Sequence, residues 1–175
     1  IDSRLQDKFY HTIKSTAQNF GFVGCSGAIM NVENGEILSL VSFPEYSPAI
    51  LADGKNTVAI GNYFNDPANP LLDRVISGLY IPGSVIKPFI AIGVLTERTI
   101  DPLKQILSTG SISIANPFFP EKFSVFKDWK ALGLVDMRHA LAMSSDVYFY
   151  TVGGGFVDQR GIGIVNIEKY TRLFG

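Results

Sequence analysis

The chain has 175 residues, of which 46% are hydrophobic, and this suits one globular domain or a large part of one. Its net charge is −1 and it has no basic run, so binding to nucleic acid or to an anionic membrane has no electrostatic support. The single cysteine, Cys25, excludes an intrachain disulfide and a cysteine metal cluster. Its longest apolar run is too short to span a bilayer. The chain begins at Ile1 in mid-pattern and lacks a start methionine, so we expect a partial polypeptide.

Residues 1–43 are predicted to form a first helix and a β-hairpin. Strands are predicted over 26–32 and 36–42, because Asn34-Gly35 between them is a strong hairpin dipeptide. Apolar residues at helical spacing precede the hairpin and indicate an amphipathic helix that Gly21 ends. The apolar positions of this helix are Leu5, Phe9, Ile13, Ala17 and Phe20.

Residues 44–73 are rich in Pro, Gly, Asn and Asp and lack periodicity, which predicts a long surface loop. The region 74–175 is predicted to be mainly helical, as part of one partial domain that spans 1–175. Its predicted elements are helices over 84–97, 136–143, 147–152 and 164–174 and a short strand over 111–114. We therefore expect a mixed α/β fold in which a helical subdomain carries most of the chain.

Ser84 and Lys87 form the first candidate site. They are three positions apart, which puts both on one face of a helix. An amine beside a hydroxyl is the minimum equipment for a serine nucleophile with a lysine base, and the helix dipole favours negative charge on the serine oxygen. Pro88 is tolerated only if the helix begins so close to Ser84 that the missing N–H was unpaired anyway. On these residues alone, Ser84 as a helix N-cap and Lys87 as a solvated residue remain an equal alternative.

The second candidate site is Ser144-Ser145-Asp146, about sixty positions later. Serine and aspartate supply a helix N-cap pair in any case, so capping is one role for this motif. Ser144 and Asp146 are also candidates for the same site as Ser84 and Lys87, and both roles can coexist.

Two further features are expected to be structural. Trp129 lies among several phenylalanines, and we expect this aromatic cluster to pack in the core, with the wall of a substrate groove as the alternative. His139 has no partner at metal-ligand spacing, so we predict no metal site.

The motifs and their surroundings resemble the transpeptidase domain of class B penicillin-binding proteins, in the elongation-type penicillin-binding protein 2 branch. S-x-x-K, an S-x-N-type element and K-T-G are the three motifs of penicillin-binding proteins and related β-lactamases. Two of them occur here in order, and no Lys-Thr-Gly or Lys-Ser-Gly occurs in the 175 residues. The resemblance also covers 1–6, 27–44, 69–80 and 126–130. It implies the penicillin-binding protein/serine β-lactamase-like transpeptidase fold, with a hairpin of the central sheet and most of the helical subdomain.

The resemblance also implies roles for the site residues. Ser84 attacks the carbonyl of a stem peptide that ends in D-Ala-D-Ala and becomes acylated, and Lys87, if neutral, takes the Ser84 proton. Ser144 passes a proton between Lys87 and the departing amine, and Asp146 binds Lys87 or the substrate amide. The Asp146 carboxylate should also hold the proton on Lys87, which opposes a base role for Lys87, and the sequence leaves this open.

The implied function is a peptidoglycan D,D-transpeptidase that β-lactams inhibit and that needs no cofactor. Its partners would be the stem peptide, β-lactams and the cell-wall elongation or division machinery, at the extracytoplasmic face of the bacterial membrane, with an N-terminal anchor in the parent protein. A serine β-lactamase or penicillin sensor, and a noncatalytic binding or scaffold module, are the alternatives. We expect the 175 residues alone not to be competent, because the oxyanion hole needs the Ser84 N–H and a second N–H from the K-T-G strand.

Overall fold

A computed structural model describes all residues from 1 to 175. The chain divides into two compact units, 1–80 and 81–175. The first unit contains α1 (Ser3–Phe20), β1 (Cys25–Met30), β2 (Ile37–Phe43), α2 (Pro48–Asp53) and α3 (Thr57–Asn65). The second contains a 3₁₀ turn (Gly83–Ile86), α4 (Lys87–Thr96), β3 (Ile106–Ser108), β4 (Ser111–Ala115), β5 (Phe123–Lys127), β6 (Gly133–Val135), α5 (Met137–Ala142), α6 (Asp146–Gly154) and α7 (Ile164–Arg172). The mixed α/β composition is confirmed, and the single partial domain stays a prediction.

The first helix and the hairpin form as the sequence predicts. Asp2 caps α1 by accepting hydrogen bonds from two backbone N–H groups, and Gly21 ends the helix in the left-handed conformation that glycine favours. Strands β1 and β2 pair antiparallel, each within two residues of the predicted bounds. The Gln6 side chain joins α1 to the hairpin, because it accepts from Leu40 N (2.9 Å) and donates to Leu40 O (2.7 Å).

The prediction of a long loop over 44–73 is wrong in part, because α2 and α3 lie within it. Pro48 lies in the first turn of α2, where its missing N–H removes no helical hydrogen bond. Asn56 caps α3 by accepting from Ala59 N at 3.0 Å. These helices have six and nine residues, which is too short for an apolar period to be visible in the sequence.

The central helix of the second unit begins later than predicted. Residues 83–86 form a 3₁₀ turn, and the α-helix runs from Lys87. In an α-helix the residue at position 88 would donate its N–H to Ser84 O, but Pro88 has no N–H to donate. The Lys87 N–H binds Ser84 O instead, which is the tighter 3₁₀ bond. The prediction of one α-helix over 84–97 is therefore wrong for its first turn and confirmed from Lys87 onward.

The remaining strands make two small antiparallel pairs, β3 with β6 and β4 with β5. The predicted strand over 111–114 is confirmed as β4, whereas β3, β5 and β6 were not predicted. Helices α5, α6 and α7 agree with prediction to within two residues at each end.

The core of the second unit is built by α4, α5, α6 and α7, and its buried residues include Ala91, Val94, Tyr148 and Val152. Helix α4 approaches α7 closely at Gly93. A Cβ atom at Gly93 would lie 2.7 Å from Ile162 Cδ1 and 2.8 Å from Tyr170 Cδ2. No helix in the structure combines the length and the apolar character needed to cross a membrane.

Candidate active site

Ser84 lies on an exposed turn at the start of α4. Gly83 has φ of 60°, a left-handed conformation that glycine adopts without strain, and the 3₁₀ turn that follows carries no side-chain cap. The Ser84 side chain is exposed. Nothing on the turn covers the hydroxyl, which suits a nucleophile that must meet a substrate.

Lys87 is buried and binds the second motif. Its side chain is 7% exposed, and Nζ lies 2.6 Å from Asp146 Oδ1, 2.6 Å from Ser144 O and 3.0 Å from Ser144 Oγ. A lysine ammonium has three N–H donors, and three acceptors are within reach. This is the geometry of a protonated amine paired with a carboxylate. The structure therefore joins two motifs that lie 57 residues apart in the chain.

Ser144 adopts a left-handed backbone conformation, with φ of 54°. Its N–H binds Leu141 O at 3.2 Å, and the Ser145 N–H binds Ala140 O at 2.9 Å. This pair of bonds is a Schellman motif at the end of α5, in which glycine is the usual residue at the position of Ser144. A non-glycine residue in this conformation is unfavourable by about 1–2 kcal/mol. The closure turns both Ser144 oxygens toward Lys87, so the strain coincides with the candidate site.

The next two residues begin α6. Ser145 is fully buried and is its N-cap, because Ser145 Oγ accepts from Tyr148 N at 3.2 Å. Asp146 is in the first turn of the helix, where the N-terminal end of the dipole favours a carboxylate. The predicted capping role and the predicted contact with Lys87 are thus divided between neighbouring residues: Ser145 caps, and Asp146 binds the amine.

Asp128 also belongs to the site, and sequence reasoning assigned it no role. Its Oδ2 accepts hydrogen bonds from Ser145 Oγ (2.8 Å) and Val147 N (3.1 Å), and it also accepts from Ser108 Oγ (3.2 Å). Burial raises the pKa of this carboxyl, but hydrogen bonds from the Val147 N–H and the Ser145 hydroxyl hold the pKa below its usual range. The only sequence signal was its place in the stretch 126–130 that precedes the second motif.

Trp129 was expected in the core, and this expectation is wrong. The residue is 58% exposed, and its indole Nε1 donates to Met143 O at 3.0 Å. The phenylalanines near it are also exposed, because β4 and β5 form a two-stranded ribbon whose β5 residues are exposed throughout. These neighbours are Phe118, Phe119, Phe123 and Phe126.

No group of three or more His, Cys, Asp or Glu side chains is arranged to hold a metal ion. The His139 ring instead binds Asp136, the N-cap of α5, at 2.8 Å. The four predicted site residues divide as follows: Lys87, Ser144 and Asp146 meet at one point, and Ser84 lies one turn before Lys87 on the same chain segment.

Comparison with known proteins shows which family the chain resembles. The family model "Penicillin binding protein transpeptidase domain" matches residues 25–175. The peptidoglycan D,D-transpeptidase MrdA of Acinetobacter baumannii is 35% identical over 156 residues, and the MrdA of Haemophilus influenzae is 32% identical over 156 residues. Each match covers 87% of this chain and 22% of the relative, so the chain spans about a fifth of the length of these relatives.

Solved structures show the same fold. The penicillin-binding protein PBP2 of Helicobacter pylori has a TM-score of 0.76 at 29% identity, covering 99% of this chain and 30% of that one. The same protein is also known in a complex with MreC, with a TM-score of 0.72 at 28% identity, covering 91% and 28%. Penicillin-binding protein A of M. tuberculosis, as a penicillin G acyl-enzyme complex, has a TM-score of 0.79 at 24% identity and covers 99% and 39%. The match over residues 25–175 and the similarity to these relatives and structures show that the chain has the penicillin-binding protein transpeptidase fold and belongs to the penicillin-binding protein transpeptidase domain family.

Proposed function

We propose that these residues supply the acylation centre of a peptidoglycan D,D-transpeptidase, with Ser84 as the nucleophile. The observation that carries the proposal is the contact of buried Lys87 Nζ with Ser144 Oγ and Asp146 Oδ1. A lysine that served only as a solvated first-turn residue would have its amine in water. Lys87 is instead held one turn from Ser84 and beside a hydroxyl that can carry a proton.

The proposed step is acyl transfer to serine. Ser84 Oγ forms a bond with the carbonyl carbon of the penultimate D-Ala, and the C–N bond to the terminal D-Ala breaks. The Ser84 hydroxyl proton passes to Lys87 in its neutral form, and the leaving amine gains a proton through the Ser144 hydroxyl. The step starts with the Lys87 proton on the Asp146 carboxylate, whose Oδ1 lies 2.6 Å from Nζ. The proton that Lys87 takes from Ser84 then returns through Ser144 Oγ, 3.0 Å from Nζ, to the leaving amine.

Substrate, inhibitors and partners follow from the same proposal. The substrate would be a stem peptide that ends in D-Ala-D-Ala, and β-lactams would acylate Ser84. The M. tuberculosis relative in its penicillin G acyl-enzyme form supports the second point. The complex of H. pylori PBP2 with MreC supports a partner in cell-wall elongation. We place the site at the extracytoplasmic face of the bacterial membrane, where peptidoglycan is cross-linked.

A labelling experiment tests the nucleophile. The longest natural polypeptide that carries these 175 residues is treated with a fluorescent penicillin, alongside Ser84→Ala and Ser113→Ala variants. Ser113 is an exposed serine in β4 and serves as the matched control. We expect wild type and Ser113→Ala to be labelled and Ser84→Ala to be unlabelled. Full labelling of Ser84→Ala would exclude Ser84 as the nucleophile.

The same experiment separates the alternatives. Rapid release of hydrolysed penicillin from the labelled protein would favour a β-lactamase, and absence of label in the wild type would favour a noncatalytic module. The 175 residues alone are expected to label more slowly, by about 10²–10³-fold, because the oxyanion donor from a K-T-G strand is not in this sequence.

A further inference from the structure

The loop that carries Ser144 is held from both sides by two adjacent residues. Before Ser144, the Trp129 indole donates to Met143 O at 3.0 Å. After Ser144, the Asp128 carboxylate accepts from Ser145 Oγ at 2.8 Å and from Val147 N at 3.1 Å. Ser144, the residue in the left-handed conformation, therefore lies between two positions that bind Asp128 and Trp129.

The Asp128 link is well placed to act on Ser144. Ser145 is fully buried, and its hydroxyl both donates to Asp128 and accepts from Tyr148 N. Hydrogen bonds to a carboxylate are roughly twice as strong as those between neutral groups. A fixed Ser145 holds the end of the Schellman motif closed, because the Ser145 N–H is one of its two bonds.

We propose that Asp128 is a positioning residue for the candidate active site: through Ser145 and Val147 it holds Ser144 in the left-handed conformation that presents both Ser144 oxygens to Lys87. The inference rests on the proposed function, since it concerns the group that moves the proton. Asp128 itself contacts neither Lys87 nor the reacting atoms. Its effect passes through the loop backbone.

Ser108 provides a matched control. Its hydroxyl donates to the same Asp128 oxygen at 3.2 Å, and Ser108 is 1% exposed. Ser108 belongs to β3, and its hydrogen bonds do not involve residues 143–147. Ser108→Ala therefore removes a bond to Asp128 and leaves the link to Ser145 and Val147 in place.

The test compares Asp128→Asn, Ser145→Ala and Ser108→Ala with the wild type, all in the longest natural polypeptide that carries the chain. The first readout is the ¹⁵Nζ resonance of Lys87 at one pH, assigned with Lys87→Arg. The second is stopped-flow acylation by penicillin, which separates the noncovalent complex from the covalent step. We expect Asp128→Asn and Ser145→Ala to shift the resonance and to slow the covalent step by about 10- to 100-fold, as for a small misplacement of a reacting group. Ser108→Ala should retain the wild-type resonance and rate.

The outcomes are distinct from those that test the function itself. If the wild type is never labelled, the proposed function fails, while the Lys87 resonance still decides whether Asp128 positions the amine. Resonances and rates in Asp128→Asn and Ser145→Ala that match those of Ser108→Ala would overturn the positioning role. If Asp128→Asn does not fold, Ser145→Ala decides alone, and unfolding of both would also overturn the proposal, since the link would then hold the fold and not only the site.

Discussion

The two helix starts that carry the motifs are built in opposite ways. The turn that bears Ser84 is exposed, begins at a left-handed glycine and has no side-chain cap. The loop that bears Ser144 has a buried N-cap in Ser145 and a strained serine where glycine is usual. Lys87 follows the Ser84 turn in sequence, but its side chain binds Ser144 and Asp146 in the second helix start.

Within the proposed function, this difference supports different roles for the two helix starts. An exposed turn with few restraints can admit a substrate and carry a covalent adduct. A loop held by charged and buried partners can keep proton-transfer groups at fixed distances, which is what efficient catalysis requires. The buried, hydrogen-bonded part of the candidate site lies around Lys87, and the exposed part lies around Ser84.

Lys87→Ala should have the largest effect, because it removes the bonds that join the two helix starts. We expect acylation by penicillin to slow by about 10³-fold or more, since base and nucleophile act as a unit. Lys87→Arg is the matched variant: it keeps a cation for Asp146 but cannot lose its proton. Acylation of Lys87→Arg at the wild-type rate would show that Lys87 is a positive charge and not a base.

Ser144 permits a sharper test, because its hydroxyl and its backbone can be changed separately. Ser144→Ala and Ser144→Gly both remove the hydroxyl, and both should slow acylation by about 10²–10⁴-fold. The glycine variant should unfold with a free energy about 1 kcal/mol greater than the alanine variant, because glycine adopts the left-handed conformation without strain. Acylation of Ser144→Ala at the wild-type rate would exclude the Ser144 hydroxyl as a proton-transfer group.

Gly83 tests the exposed turn in the same way. Gly83→Ala should lower the free energy of unfolding by about 1 kcal/mol, because φ is 60° and a Cβ atom would meet no neighbour within 4 Å. Gly54, at the end of α2, has φ of 67° and equally open surroundings, so Gly54→Ala is the matched control. We expect equal losses of stability from denaturant unfolding, with slower acylation only in Gly83→Ala. Equal acylation rates in the two variants would mean that the turn needs no defined shape.

The smallest expected effect concerns the pH dependence of stability. The pKa of Asp128 lies below its usual value of 3.8, so its carboxylate contributes stability that is present above that pH and is lost as the pH falls through the lowered pKa. Asp128→Asn removes this contribution. Denaturant unfolding between pH 5 and pH 2 should therefore show a shallower acid limb for the variant, and parallel curves would contradict the assigned hydrogen bonds.

The sequence predicted those parts of the molecule that local rules determine. Helix α1, the hairpin and helices α5 to α7 follow from apolar spacing, Asn34-Gly35 and the cap at Asp136, all of which are short-range signals. Ser84, Lys87, Ser144 and Asp146 were selected by motif. Helices α2 and α3 were missed because a cap and one or two turns give no periodic pattern.

The links between distant residues could not be predicted in the same way. The contact of Lys87 with Ser144 depends on the packing of α4 against α5 and α6. The contact of Asp128 with Ser145 depends on the position of the ribbon of β4 and β5, which ends one residue before Asp128. Trp129 could not be placed from the sequence either. A large aromatic residue predicts burial, yet Trp129 is exposed and its indole N–H donates to Met143 O. Only tertiary structure determines which polar groups meet.

Gly93 gives the site a constraint that originates outside it. The glycine lies six residues after Lys87 on α4, about 9 Å along the helix axis. Because Ile162 and Tyr170 fill the space where a side chain would go, a larger residue must displace these side chains, push α7 away or tilt α4. A helix is stiff over this distance, so a tilt at position 93 would move the amine of Lys87 relative to Ser144. The position of the Lys87 amine thus depends on the fit of α4 against α7, and a larger residue at position 93 should be tolerated only when residues 162 and 170 become smaller with it.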